Sequence, residues 1–248
     1  MTSTNLSVPA RALAIGAHPD DVEFGCGATL RKWSTLGAHC EILVLTDGSK
    51  GTWDPDADTR ELVATREREQ LVAANILGVA RVRFLHAVDG ELAVTRDTVA
   101  QVCAAIRDAR PEVVLGQDPW KQYRLHPDHH AAGRLVIDGL VAARDPHFFA
   151  DLGTHHRPDE LLLFEAQVVD HVEAVDDAAV DAKVASLLAH QSQWRSTMAI
   201  DDGSDDELRR TRDEFAATVR SQLHRSNDTT TANDVAALAE QFKRISEL

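Results

Sequence analysis

Basic residues are scarce in this chain. Lys and Arg number 26 against 40 Asp and Glu, a formal charge of −14 over 248 residues with histidine neutral. Nucleic acids and anionic membrane surfaces recruit clustered cations, so the balance argues against both as partners. Long hydrophobic runs are missing too, and no stretch approaches a membrane span. The opening segment, MTSTNLSVPARALAIGA, has no basic region ahead of its short apolar run. It reads as a first strand of a cytoplasmic protein and not as a signal peptide. Cysteine is sparse as well. Cys26, Cys40 and Cys103 form an odd set with no CxxC spacing, the usage expected of reduced thiols. No internal repeat and no shift of composition marks a second domain. With 44% hydrophobic and 27% charged residues the expectation is one globular domain over 1–248. Residues 1–150 hold its core βα units and the site, and 151–248 form a less regular part.

Apolar runs alternate with amphipathic stretches through the first two thirds of the chain. Strands are expected at 10–16, 41–45, 82–85 and 112–115. Helices are expected at 29–36 (starting near Phe24), 60–77, 98–110 and 129–143, with Gly78 as a C-cap. The pattern predicts an α/β fold: a three-layer, Rossmann-like, mostly parallel sheet with helices on both faces. Ligands of such sheets bind at the carboxyl ends of the strands, here after Gly16, Leu45, Leu85 and Gly116. The last third reads as strands at 161–164 and 167–169 and helices at 178–190, 208–223 and 235–245, with 201–207 as a solvated acidic loop.

Twelve histidines are present, and two groups of them carry the chemistry. Directly after the first strand stands Ala17-His18-Pro19-Asp20-Asp21. His18 and Asp21 are spaced so that one tight turn aims an imidazole and a carboxylate at one point, leaving Asp20 beside them. Taken alone, either aspartate is equally a helix cap. After the fourth strand comes His126-Pro127-Asp128-His129-His130, on the same expected sheet edge. Two histidine–carboxylate turns on one edge are hard to explain as caps. Three ligands with one open position is the pattern of a catalytic zinc.

AHPDDVEFGCGATL together with HPDHHAAG resembles the zinc-dependent N-deacetylases that include GlcNAc-phosphatidylinositol de-N-acetylase, LmbE-like proteins and the mycothiol-pathway deacetylase. The likeness extends through residues 46–51 (TDGSKG), the helix at 66–78 and Asp89-Gly90, with a weaker echo at 190–193. It implies that His18, Asp21 and His129 ligate Zn2+, for which Fe2+ or Co2+ could substitute. It implies Asp20 as general base, His126 as a protonated stabiliser of the oxyanion, and Arg66 and Asp89 as contacts to sugar hydroxyls. One departure stands out: the mycothiol-pathway enzyme has a tyrosine where this chain has Arg124, and Tyr123 lies one position back.

The expected reaction is removal of an acetyl group from an N-acetylated amino sugar or related small-molecule amide, giving acetate and a free amine. The rivals are an amidase acting on a thiol conjugate or secondary metabolite, and a non-catalytic Rossmann-type binding module. The second rival would place GxGxxG after the first strand, where this chain has Gly16-Ala17-His18. Specificity is expected on loops 46–60, 118–125 and 144–160. Trp53 and Trp120 read either as an aromatic wall for a sugar or as packed loop residues. Lys121 and Arg124 read as solvated charges, Cys26 as a buried apolar side chain, and a homo-oligomer is compatible with the loosely matched last third.

Overall fold

The computed structural model describes residues 3–226 and 237–248. In chain order the elements are β1 (Ser3–Thr4), β2 (Arg11–Gly16), α1 (Asp21–Thr35), β3 (His39–Thr46), α2 (Thr59–Leu77), β4 (Arg81–Ala87), α3 (Arg96–Ala109) and β5 (Val113–Gln117). They continue with α4 (Pro127–Arg144), β6 (Glu160–Phe164), β7 (His171–Val175), α5 (Asp177–Leu188), a 3-10 turn (Gln191–Gln193), α6 (Asp205–Gln222), β8 (His224–Ser226) and β9 (Ala237–Ile245). The strands among the described residues form one sheet in the order β1-β7-β9-β6-β5-β2-β3-β4, with β8 also on β9. Pairings from β6 through β5, β2 and β3 to β4 are parallel, and β9 runs antiparallel to β6, β7 and β8.

Period-two alternation divides the apolar strands between two cores. Leu13, Ile15, Leu43 and Leu45 pack with Val102, Ile106, Leu135 and Val136 of α3 and α4. Ala12, Ala14, Ile42 and Val44 face the other way, onto Val22, Leu30 and Trp33 of α1 and Ala74 of α2. The sheet is therefore covered on both sides, as the alternation predicts. Local caps hold the helices in register. The Asp58 carboxylate accepts from the backbone N–H groups of Arg60 and Glu61, Gly78 closes α2 with φ 76°, and Thr95 forms a capping box with Thr98.

Gly25 fixes how closely α1 lies on the sheet, because a Cβ there would sit 2.3 Å from Cδ2 of the buried Phe164 ring. Gly25→Ala should destabilise the protein by about 1–3 kcal/mol through overpacking. A lowered urea midpoint at unchanged slope would show this; an unmoved midpoint would mean that the ring yields freely.

Three expectations for the last third are corrected. Residues 237–245 of the helix expected at 235–245 are strand β9, and 235–236 lie outside the described residues. ALAEQFKRI is rich in helix formers, but partners along both edges override that propensity. The strand expected at 167–169 is a connection, and β7 begins only at His171. Gln167 is held out of the sheet because its N–H bonds the Asp118 carboxylate at 2.9 Å. Of the loop expected at 201–207, residues 205–207 form the first turn of α6, capped by Ser204, where three acidic side chains suit the positive helix end.

Candidate active site

The carboxyl ends of β2, β3, β4, β5 and β6 open onto a cavity of about 500 Å³. His18, Asp20 and Asp21 reach it from the turn after β2; Lys50, Gly51 and Trp53 come from the segment after β3, and Asp89 from the one after β4. His126 and His129 arrive at the start of α4, and Glu165 follows β6. Every sequence-predicted site residue lines this one cavity. The loop at 144–160 is elsewhere. Helix α4 runs back along the sheet, so its successor lies at the amino edge, where Asp159 N–H bonds the Glu112 carbonyl and His156 Nε2 contacts Pro111. Sequence reasoning gave no role to Gln193, which lies in the weak echo at 190–193, and missed Ser196 and Thr197; all three enter the wall from the last third. Trp53 is 85% exposed, which removes the packed reading for it.

His18, Asp21 and His129 converge. His18 Nδ1 lies 3.2 Å from His129 Nε2 and 3.3 Å from Asp21 Oδ2, and His129 Nε2 lies 3.3 Å from Asp21 Oδ1. Donors at zinc–nitrogen and zinc–oxygen distances around a tetrahedral ion stand about 3.3 Å apart, so this triangle has the span of a first coordination sphere. His18 presents Nδ1 to it because Nε2 is engaged by Asp128 Oδ2 and Asp89 Oδ1, each at 3.1 Å. A carboxylate behind a ligating imidazole fixes its orientation and raises its basicity. Asp128 is itself pinned by the N–H groups of Gly90 and Leu92. The ligand atoms of His18, His126 and His129 also lie within 4.8 Å of one another. The shorter contacts and the negative charge of Asp21 favour it as the third donor.

The electrostatics seek a cation. Burial opposes charge on His18, yet Asp128, Asp21 and Asp89 outweigh it and push its pKa up to about 12. The carboxylates that would hold a proton there would equally hold a metal ion. Burial raises Asp20 to about 7, against the pull of the Arg66 guanidinium and with a push from Asp21. His126 is held below its ordinary value by burial and by the neighbouring imidazoles of His18 and His129. Its Nδ1 caps α4 by accepting from the Asp128 N–H at 3.3 Å, which leaves the proton of the neutral ring on Nε2.

Arg66 and Asp89 carry more duties than the resemblance implies. Arg66 Nη2 donates to the Pro19 carbonyl at 2.6 Å and reaches Asp20 Oδ2 at 3.4 Å, while Nη1 donates to the Gly48 carbonyl. Asp89 accepts from the Lys50 N–H besides facing His18. The Arg124 guanidinium is mostly buried, and it touches both His129 Nδ1 and the Glu165 carboxylate. A guanidinium only donates, whereas an imidazole that ligates through Nε2 carries its proton on Nδ1. Arg124→Gln, neutral and able to accept, should therefore tighten metal binding by about tenfold, a 1.4 kcal/mol change. Competition with a chromophoric chelator measures it, and equal affinities would mean that Arg124 swings to Glu165 without cost. Cys26 is buried in the apolar cluster under α1 and is no ligand; burial pushes its thiol well up.

Residues 13–140 match the family model described as PIG-L, GlcNAc-PI de-N-acetylase. The chain belongs to this family. It is 34% identical over 199 residues to the diacetylchitobiose deacetylase of Thermococcus kodakarensis, covering 74% of this chain and 70% of that protein. Over 170 residues it is 31% identical to the 1D-myo-inositol 2-acetamido-2-deoxy-alpha-D-glucopyranoside deacetylase of Geodermatophilus obscurus, and spans 57% of that protein. The solved N,N'-diacetylchitobiose deacetylase of Pyrococcus horikoshii superposes with a TM-score of 0.78 at 25% identity, covering 96% of this chain and 84% of the other. PIG-L membership makes this protein an enzyme of the deacetylase class, acting on a non-peptide C–N bond. The His and Asp side chains for a metal are in place. Among the described residues no helix is long and apolar enough to cross a membrane.

Proposed function

We propose that this protein is a zinc-dependent hydrolase that removes the acetyl group from an N-acetylated amino sugar or a closely related small-molecule amide, releasing acetate and a free amine. The triangle of His18 Nδ1, His129 Nε2 and Asp21, with the Asp20 carboxyl beside it in one cavity, carries the reading. The amino-sugar substrates named for the similar deacetylases support the substrate class. His18, Asp21 and His129 would hold Zn2+, which when bound would supply Lewis acidity and a nucleophile from water at neutral pH. Fe2+ or Co2+ suits the same donors.

The chain's own groups supply the rest. Asp20, raised toward neutrality by burial, accepts a proton from the attacking water. Arg66 holds that carboxyl from the side of α2. His126 donates from Nε2 to the acetyl oxygen as charge gathers there. The geometry supports a neutral donor in place of the protonated imidazole expected from the sequence, since Nδ1 already accepts a hydrogen bond, and burial with the neighbouring imidazoles of His18 and His129 disfavours protonation. The amide C–N bond then breaks, with a proton delivered to the departing nitrogen. Arg66 and Asp89 line the cavity and offer contacts to sugar hydroxyls alongside their duties toward Asp20 and His18. Trp53 stands at the rim as an exposed ring face for a sugar.

Acetate release from GlcNAc conjugates, compared with cleavage of bulkier amides by the zinc-loaded protein, tests the substrate class. Turnover confined to the bulkier amides would move the reading to the amidase alternative. His126→Ala should retain its metal and lose about 10²-fold or more in kcat. Unchanged kcat would remove His126 from the oxyanion.

A further inference from the structure

Asp20 sits in a backbone conformation that residues with a side chain rarely adopt, φ 99° and ψ −26°. Strain of this kind persists only where neighbours over-determine it. The neighbours here are identifiable. The Asp20 N–H donates to Gln70 Oε1 at 3.1 Å, and Gln70 Nε2 donates to Glu23 Oε1 at 2.6 Å. Gln70 and Glu23 are wholly buried. The amide can point only this way, because its flipped form would set an NH2 against the Asp20 N–H and an oxygen against a carboxylate oxygen. Gln70 lies one helical turn beyond Arg66 on α2, so one face of that helix grips the backbone of Asp20 with one side chain and its carboxyl with the other. Gln70 is not among the side chains that line the cavity.

We propose that Gln70 is a positioning residue for the reaction: it locks the left-handed turn at Asp20 and so aims the catalytic carboxyl. A residue that acts through Asp20 loses its influence once Asp20 can no longer act, whereas a residue that merely fills the core does not. This inference rests on the reading of Asp20 as the base.

The test is a double-mutant cycle read in kcat. Gln70→Met fills the same volume without either polar atom. In the wild-type background it should lower kcat about 10- to 100-fold, the scale of a misplaced catalytic group, with KM and bound metal unchanged. In the Asp20→Asn background the same change should cost less than about twofold. Gln70→Glu paired with Glu23→Gln, which keeps an oxygen for the Asp20 N–H and restores a donor between the two side chains, should recover most of the loss, and Gln70→Leu, which also lacks both polar atoms, replaces Gln70→Met in the cycle if that variant does not fold. Equal fold-losses in the two backgrounds, or a loss that tracks metal content, would overturn the proposal. Full turnover by Asp20→Asn would instead remove the base assignment, a distinct and separately visible failure.

Discussion

Alanine at position 129 should leave the protein folded but unable to keep its metal. Three donor groups form the triangle, and removing the His129 imidazole leaves only His18 Nδ1 and the Asp21 carboxylate. Loss of a group that merely supports a ligand costs 10–100-fold in metal affinity, so loss of the ligand itself should exceed about 100-fold. His129 sits in the first turn of α4 at the cavity edge, away from both apolar cores, so the fold has little to lose. Elemental analysis after dialysis should fall from about one equivalent to near none, with acetate release falling alongside it. Full metal content in His129→Ala would show that another donor completes the sphere, and His126, whose nitrogen already lies within the same cluster, would be the one.

Asparagine at position 20 should do the opposite: metal retained, turnover lost. The side chain keeps its shape and an oxygen for Arg66 Nη2 but can no longer accept a proton. Asparagine also tolerates positive φ, so the turn at 99° is undisturbed. General-base contributions of this kind run to about 10²–10⁴-fold, and the loss should appear in kcat with KM and metal content little changed. Turnover equal to wild type would mean that another group takes the proton.

The first two thirds of the chain were legible because local pattern and tertiary structure agree there. A parallel strand buried on both faces is a short apolar run, and the helix after it is amphipathic, so EILVL and the helix ending at Gly78 declare themselves. The site residues were legible because a parallel sheet gathers its strand ends on one edge. His18 and His129 are far apart in sequence yet touch for that reason. What stayed hidden depends on long-range contacts. Gln70 is one glutamine among polar helix residues, and its importance is visible only when the Asp20 N–H is found against it. The edge to which 144–160 returns follows from the direction of α4 and not from composition. The carboxyl-terminal strand reads as a helix because its residues favour one, and only the partners on its two sides decide otherwise.

That strand also reaches the catalytic machinery from beneath. The Glu240 carboxylate, buried and in contact with the Lys183 ammonium, accepts the backbone N–H groups of Ala28 and Thr29 in α1, at 3.1 and 2.7 Å. α1 is the helix whose first residue is Asp21. The bond from Ala28 spans 212 positions of chain, a closure of very high contact order. These two bonds form only once the segment carrying Glu240 has been made, long after α1 itself. A product cut before position 240 should therefore hold the helix that begins at Asp21 without them.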